Sequence, residues 1–175
     1  MFYRFIFLLG VFTLTFSFAN VFKNIKSFKA DFIQTIKNSS NSNIEYKGEV
    51  FIKNSGKVLW KYKKPIIKNV YINENFAIID EPELEQAIFT SLDSKINLIK
   101  LLNGAKKITT NKYKAKLYET EYEIVVKNDK ISKISYIDEL ENQVLITFSN
   151  IEQNIQLKDS LFKFTAPKYY DIIRK

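Results

Sequence analysis

The chain has 175 residues, a net charge of +8, no histidine, no cysteine and four glycines. Without histidine and cysteine it cannot build a Ser-His-Asp or Cys-His catalytic apparatus, a zinc site of the usual kind or a disulfide. The glycines, Gly10, Gly48, Gly56 and Gly104, form neither a phosphate-binding loop nor a dinucleotide fingerprint. The sequence therefore predicts a protein that is not an enzyme and that holds no metal or cofactor.

The excess positive charge consists almost entirely of lysine spread through the chain. It has two interpretations. One is attraction to anionic lipid head groups or to an acidic partner. The other, which we favour for most of the lysines, is that they occupy solvent-exposed strand positions.

The N-terminus is typical of a secretory signal peptide. Arg4 supplies the positive charge, residues 5–16 are apolar, and Ser17-Phe18-Ala19 fits a cleavage site with small residues. The apolar stretch is short for a membrane span, which needs about 20 residues, so we favour cleavage over an uncleaved anchor. We expect residues 1–19 to be removed and residues 20–175 to form one exported, soluble domain.

Residues 20–25 predict a short helix, with Asn20 as a possible N-cap. The next residues leave two alternatives. A single long helix would align the apolar residues Val21, Ile25, Phe28, Phe32 and Ile36, whereas Phe28, Ala30 and Phe32 equally suit a strand that begins near Ser27.

A β-hairpin is predicted over residues 44–62. Apolar side chains alternate with polar ones on both arms, which is typical of half-buried strands. Asn54-Ser55-Gly56 supplies the turn, and Pro65 ends the second arm. One face of the first arm carries Tyr46, Val50 and Ile52, and one face of the second carries Val58, Trp60 and Tyr62.

Further strands are predicted over 69–72, 76–80, 84–90, 113–118, 122–127, 131–137 and 144–148, with a short helix near Asp159. Between them, residues 93–103 carry Ile96, Ile99 and Leu102 at helical spacing, and Gly104 follows as a suitable C′ residue. Many short strands with two helical pieces favour an antiparallel barrel or a strongly curved sheet, an α+β fold that is mainly β. Periodicity alone does not distinguish a cavity from a packed core.

Four segments resemble the outer-membrane lipoprotein carrier family, the periplasmic LolA-type chaperones of Gram-negative bacteria. The hairpin between Gly48 and Pro65 is one of them. The others are Ser27-Phe28-Lys29-Ala30-Asp31-Phe32-Ile33-Gln34, Leu84-Glu85-Gln86-Ala87 and Phe162-Lys163-Phe164-Thr165-Ala166-Pro167. They keep the order of the family's motifs and span most of the chain after residue 19.

The resemblance implies an incomplete β-barrel whose open side is covered by a helical lid and which encloses an apolar cavity. It favours the strand at Ser27 over the long helix. The lipid-binding cavity would be lined by Phe32, Tyr46, Val50, Ile52, Val58, Trp60, Tyr62, Ile96, Ile99 and Leu102.

By the same resemblance, the protein is expected in the periplasm as a monomeric chaperone. It would take triacylated lipoproteins from an ATP-driven extraction complex of the inner membrane, shield their acyl chains, and deliver them to an outer-membrane acceptor or to the membrane itself. No nucleic-acid partner is predicted. The family's lid is held by an arginine in the hairpin turn, where this chain has Asn54, so we expect a weak latch there.

Two other functions stay open on the residues alone. An exported half-barrel could be an adaptor or sensor that binds a protein partner or another lipid. Glu119, Glu121 and Glu123 share one strand face, where a hydrolase could place an acid and a base; we favour a solvated outer face for them. For the acidic cluster of Asp80, Glu81, Glu83 and Glu85 we favour a solvated loop over contact with a basic partner surface.

Overall fold

The computed structural model describes residues 22, 24–73, 75–92, 98–117 and 119–175. The predicted signal peptide and Ile96 lie outside these residues, as does half of the predicted helix over 20–25. The described part of that stretch forms a turn closed by the Ile25 N–H, which donates to the Phe22 carbonyl at 3.2 Å. No helix within the described residues is long and apolar enough to cross a membrane.

The described strands form a single sheet. Their bounds are β1 Ser27–Lys37, β2 Asn43–Lys53, β3 Val58–Lys64, β4 Lys68–Asn73, β5 Phe76–Glu81, β6 Gln86–Ser91, β7 Lys106–Lys107, β8 Lys112–Leu117, β9 Thr120–Lys127, β10 Lys130–Ile137, β11 Gln143–Gln153 and β12 Asp171–Arg174. The helical pieces are α1 Leu98–Asn103 and two 3-10 helices, Pro82–Leu84 and Asp159–Phe162. The strand order is β12-β6-β5-β4-β3-β2-β1-β11-β10-β9-β8-β7.

Most neighbouring strands are joined by short turns and pair antiparallel. The predicted hairpin over 44–62 is confirmed as β2 and β3, and Gly56 takes a φ of 93° in its turn, a conformation that glycine adopts without steric cost. Two pairings are not local. β1 pairs with β11, more than 100 residues along the chain, and β12 returns to pair in parallel with β6 at the end of the sheet.

The sheet curls around α1. This helix contacts both β2 and β8, although four strands, β1, β11, β10 and β9, lie between these two in the strand order. The main core therefore lies on the concave face, where even-numbered side chains of β1 and β11 meet those of β2, β8, β9 and β10. Phe22, Ile99 and Leu102 complete this core from outside the sheet.

A second, smaller core lies on the convex face. Phe51 and Leu59 are cross-strand partners on β2 and β3, and both point away from the concave core. The C-terminal segment, residues 155–170, crosses them and buries Phe162 against the pair. The segment shields the two adjacent apolar side chains from water, which stabilises its position on the convex face.

The prediction of a helical lid is wrong. Strands account for about 60% of the described residues, the sheet is open, and no helix of seven or more residues occurs in the part of the chain that the structure describes. Of the predicted helix over 93–103, residues 98–103 are described and are helical. The physical reason is the shortness of many connections: turns such as 38–42, 54–57 and 138–142 leave no room for a helix between the strands that they join.

Candidate functional site

The concave face carries the apolar residues that the sequence singles out. Phe32, Val50, Ile52, Val58, Ile99 and Leu102 are all buried there. Tyr46, Trp60 and Tyr62 are half-buried and pack against the same core. The structure thus brings nine of the ten predicted residues onto one surface, and the tenth, Ile96, lies outside the described residues. Whether they bind lipid stays a prediction.

The centre of this face is closely packed where the structure describes it. A void of about 10 Å³ lies among Ile25, Phe28, Ile52, Ile99, Leu102, Ile131, Ile134 and Phe148. Such a volume holds at most one water molecule. At this place the described apolar side chains leave no room for a guest molecule, which would have to displace them to enter; the lipid cavity stays a prediction.

Aromatic side chains dominate one end of the concave face. Phe32 packs edge-to-face on Trp60 and on Tyr62, with ring centroids 4.9 and 5.1 Å apart. Tyr46 packs on Tyr62 in the same way at 5.7 Å. Edge-to-face pairs add to the stability given by area burial alone, so the ring positions are mutually fixed.

Gly48 makes this ring packing possible. A Cβ on Gly48 would collide with the Lys61 carbonyl of the paired strand and would lie 2.9 Å from Cε1 of Phe32. A register shift between Lys47 and Gly48 marks a bulge at the same place, the usual setting for glycine inside a strand. The absence of a side chain lets Phe32 lie directly over β2.

Four tyrosines surround this aromatic end: Tyr46, Tyr62, Tyr122 and Tyr136. Burial raises the pKa of Tyr62 to about 12, and Tyr136 and Tyr46 add to the shift. Burial also raises the pKa of Tyr136 to about 12, with contributions from Tyr122 and Asp138. Both hydroxyls therefore stay protonated at neutral pH, and the Tyr62 hydroxyl donates to Oε1 of Gln34 at 3.1 Å.

The three glutamates that the sequence places on one strand face lie away from the concave core. Glu123, Glu121 and Glu119 pair with Lys112, Lys114 and Lys116 on the outer surface of β8 and β9. These cross-strand pairs are solvent-exposed, which agrees with the interpretation of a solvated outer face. No group of metal-binding side chains occurs among the residues described.

The hairpin turn contacts two other parts of the chain. The Asn54 N–H donates to the Lys26 carbonyl at 2.9 Å. Lys53 donates to Asp159 at 2.7 Å, and Lys57 lies 3.3 Å from the same carboxylate; these contacts hold the pKa of Asp159 below its usual value. The turn therefore attaches the C-terminal segment on the convex side. The latch role of Asn54 stays a prediction, and no helical lid is described for it to hold.

The sequence interpretation did not single out several residues around the void: Ile25, Phe28, Ile131, Ile134 and Phe148. Their alternation placed the strand residues on an apolar face, but alternation does not show which faces of distant strands meet. The pairing of β1 with β11 brings Phe28 to Phe148, with ring centroids 5.4 Å apart.

In the described residues, a curved sheet has an apolar concave face and carries the paired Glu119, Glu121 and Glu123 on its outer surface, an arrangement that suits a binding protein. Two solved structures share the fold. A protein from Thermus thermophilus, titled an uncharacterized conserved protein, superposes with a TM-score of 0.54 at 13% identity and covers 87% of this chain and 92% of that chain. A DUF1329 family protein from Desulfovibrio piger gives 0.51 at 10% identity, with 81% and 91% covered.

The sequence comparisons define the family. The family model described as Outer membrane lipoprotein carrier protein LolA matches residues 23–121 and 100–165. Proteins named outer-membrane lipoprotein carrier protein are 37% identical in Wolinella succinogenes, covering 88% of this chain and 90% of the relative, and 38% identical in Campylobacter jejuni, covering 86% and 88%. One from Helicobacter pylori is 34% identical, covering 89% and 84%. The chain belongs to the outer membrane lipoprotein carrier protein family.

Proposed function

We propose that this protein carries lipoproteins through the periplasm to the outer membrane by burying their acyl chains on the concave face of the sheet. Family membership supports this function and a protein without enzymatic activity. The observation that carries the site is the continuous apolar surface from Phe22 and Ile25 across the sheet to Tyr136.

Acyl chains suit this surface for an energetic reason. Each CH₂ removed from water contributes about 0.8 kcal/mol, so a few long chains bind without any specific polar contact. One site can then serve many lipoproteins, because their protein parts differ while their lipid anchors are alike. The cavity residues proposed are those predicted from the sequence, together with the residues around the void.

The site has to open to accept cargo, since the void holds at most one water. The pieces best suited to move are α1 and the turn over residues 22–25, which cover the concave core without belonging to the sheet. Ile25, Ile99 and Leu102 touch the void from these two pieces. Their displacement would leave the strand ladder intact and open the centre of the core.

The remaining parts of the proposal follow the sequence expectations. Residues 1–19 are a signal peptide removed on export, and residues 20–175 act as a single soluble domain. The cargo comes from an ATP-driven extraction complex of the inner membrane and passes to an outer-membrane acceptor or to the membrane itself. Transfer needs no energy source in the carrier if the receiver binds the acyl chains more tightly.

The test uses spheroplasts of the source bacterium with radiolabelled lipoproteins. The exported protein, purified from a periplasmic extract, is added with ATP and the membranes are sedimented. We expect labelled lipoprotein in the supernatant in complex with the protein. Trp60→Asp should abolish release, because a charge beside Phe32 opposes entry of acyl chains; Leu140→Asp, at a side chain that is 81% exposed, is the matched control.

Circular dichroism establishes that each variant is folded, and Trp60→Phe tests whether an uncharged aromatic ring restores release. Lipoprotein that stays in the pellet with folded wild-type protein and ATP present contradicts the carrier function. Equal release by Trp60→Asp and wild type would place Trp60 outside the cargo site.

A further inference from the structure

The loop between β3 and β4 exposes two isoleucines among lysines. Ile66 and Ile67 are 49% and 47% exposed. Lys63 and Lys64 precede them on the exposed end of β3, and Lys68 begins β4. Single exposed apolar side chains are common on protein surfaces, but two adjacent ones rimmed by charged residues are a candidate contact surface.

The lysines of this loop are incompletely neutralised. Lys63 pairs with Glu49 at 2.7 Å. Among the residues that the structure describes, no carboxylate lies within ion-pair distance of Lys64 or Lys68. The Lys68 ammonium lies over the rings of Tyr62 and Tyr46, 4.6 and 5.3 Å from their centroids. The loop thus combines an apolar tip with a positive base.

The strand register places this loop at the rim of the concave face. Tyr62 pairs with Lys68 across β3 and β4, and Tyr62 belongs to the tyrosine end of the concave core. The loop therefore lies directly beside the aromatic end of the proposed cargo site, at the same ends of the strands.

Two other turns at the same ends of the strands also expose a large apolar side chain and can be compared with this loop. Leu84, between β5 and β6, is 64% exposed, and Leu140, between β10 and β11, is more exposed still. Both are flanked by acidic residues: Glu83 and Glu85 beside Leu84, and Glu139 and Glu141 beside Leu140. All three turns expose apolar side chains, but the residues beside them are basic in the β3–β4 loop and acidic in the other two turns.

We propose that the β3–β4 loop, residues 63–68, docks on a bilayer containing anionic phospholipids. Ile66 and Ile67 would enter the interfacial region, and Lys64 and Lys68 would lie among the phosphates of the head groups. Apolar insertion and attraction to anionic lipid reinforce each other at membrane surfaces. The acidic turns at Leu84 and Leu140 would be repelled by the same surface, which assigns the contact to this loop.

This contact has a consequence that rests on the proposed function. A bilayer bound at residues 63–68 lies against the tyrosine end of the concave face. Acyl chains leaving the core there would pass into the membrane directly and avoid a path through water. The loop would then make the membrane itself a receiving partner.

The test is sedimentation of the exported protein, without cargo, with vesicles of phosphatidylethanolamine and phosphatidylglycerol. We expect binding that weakens with salt and is lost on phosphatidylcholine vesicles. Ile66→Asn combined with Ile67→Asn should lower the partition coefficient by about tenfold or more, and Lys64→Gln by about fivefold. Leu84→Asn and Leu140→Asn are the matched controls and should bind as wild type.

Absence of wild-type binding to the anionic vesicles would overturn the inference, as would equal binding by the double isoleucine variant or equal losses in the two leucine controls. The carrier function is tested separately by release of lipoprotein from spheroplasts. Cargo release without vesicle binding would overturn the docking loop alone, and vesicle binding without cargo release would overturn the carrier function alone.

Discussion

Gly48 shows how one residue shapes the concave face. Its missing side chain leaves room for the ring of Phe32 over the backbone of β2, and that ring in turn supports Trp60 and Tyr62. This close approach adds a side-chain contact to the antiparallel ladder that already joins β1 to β2. The sequence marks this glycine by its position inside an apolar alternation, where glycine otherwise weakens a strand.

We expect Gly48→Ala to lower the free energy of unfolding by about 1–3 kcal/mol or more, because the added methyl group overpacks a backbone contact that cannot move freely. Urea denaturation followed by Trp60 fluorescence measures the change. Ser55→Ala, in the exposed turn of the same hairpin, is the control and should stay within about 0.5 kcal/mol of wild type. Equal stability of the two variants would show that Phe32 repacks without cost.

Tyr62 and Tyr136 predict a loss of stability at alkaline pH. Both have a pKa of about 12 in the fold against a reference value of 10.0. Above pH 10 the unfolded chain releases these protons while the folded chain keeps them, so the stability they contribute is complete below pH 10 and is lost as pH rises through about 12. Chemical denaturation across this interval should show the decline.

The double variant Tyr62→Phe, Tyr136→Phe removes both titrating groups and should flatten the decline. Tyr169→Phe, at an exposed tyrosine, is the control and should leave the slope of wild type unchanged. A double variant with the wild-type slope would assign the alkaline transition to other groups.

The C-terminal segment, residues 155–170, packs on the convex face of the hairpin formed by β2 and β3. It crosses the convex face, and its contacts to β2, β3 and β4 come from unlike groups: Phe162 packs on Leu59, Asp159 accepts from Lys53, and the Phe162 carbonyl accepts from Asn73. The hairpin is therefore held on both faces. Cargo would meet only the concave one.

We expect Phe162→Ala to lower the free energy of unfolding by about 3–5 kcal/mol, since it empties a fully buried aromatic site. Lipoprotein release per folded molecule should be unchanged, because the mutated site faces away from the concave core. Lys163→Ala, at the exposed neighbouring position, is the control for both measurements. A loss of release by folded Phe162→Ala protein would show that the two faces are coupled.

At the scale of the whole molecule, the sheet is open and has two ends. Open edges invite pairing with another chain. β7 ends one side with only two residues, both lysines, which discourages such pairing. At the other end, β12 covers β6 in parallel, and its Arg174 lies over the ring of Phe89 at 5.8 Å.

Removal of residues 171–175 should expose the edge of β6 and cause concentration-dependent self-association, measured by analytical ultracentrifugation. Ile172→Ala with Ile173→Ala keeps the backbone of β12 and is the control. If the truncated chain sediments as the control does at all concentrations, β12 is not needed to protect this edge.

The sequence also predicted much of the sheet and part of the site. The alternation of β2 and β3, the turn at Gly56 and the strands around it are local features, and local features are readable from residue order. Leu59 and Phe51 carried a further signal that the interpretation left unused: both are apolar at positions where a solvated face needs polar residues. Their apolar character predicts that another segment covers the convex face at this place.

The sequence by itself determined the strands, their apolar faces, the absence of a histidine- or cysteine-based site, and the motifs of the family. Tertiary structure alone decided the order of the strands, the pairing of β1 with β11, the side toward which the sheet curls, and the absence of a helical lid among the described residues. The reason is physical. Alternation fixes which side chains share a face of one strand, whereas the meeting of distant faces depends on non-local packing that no short segment encodes.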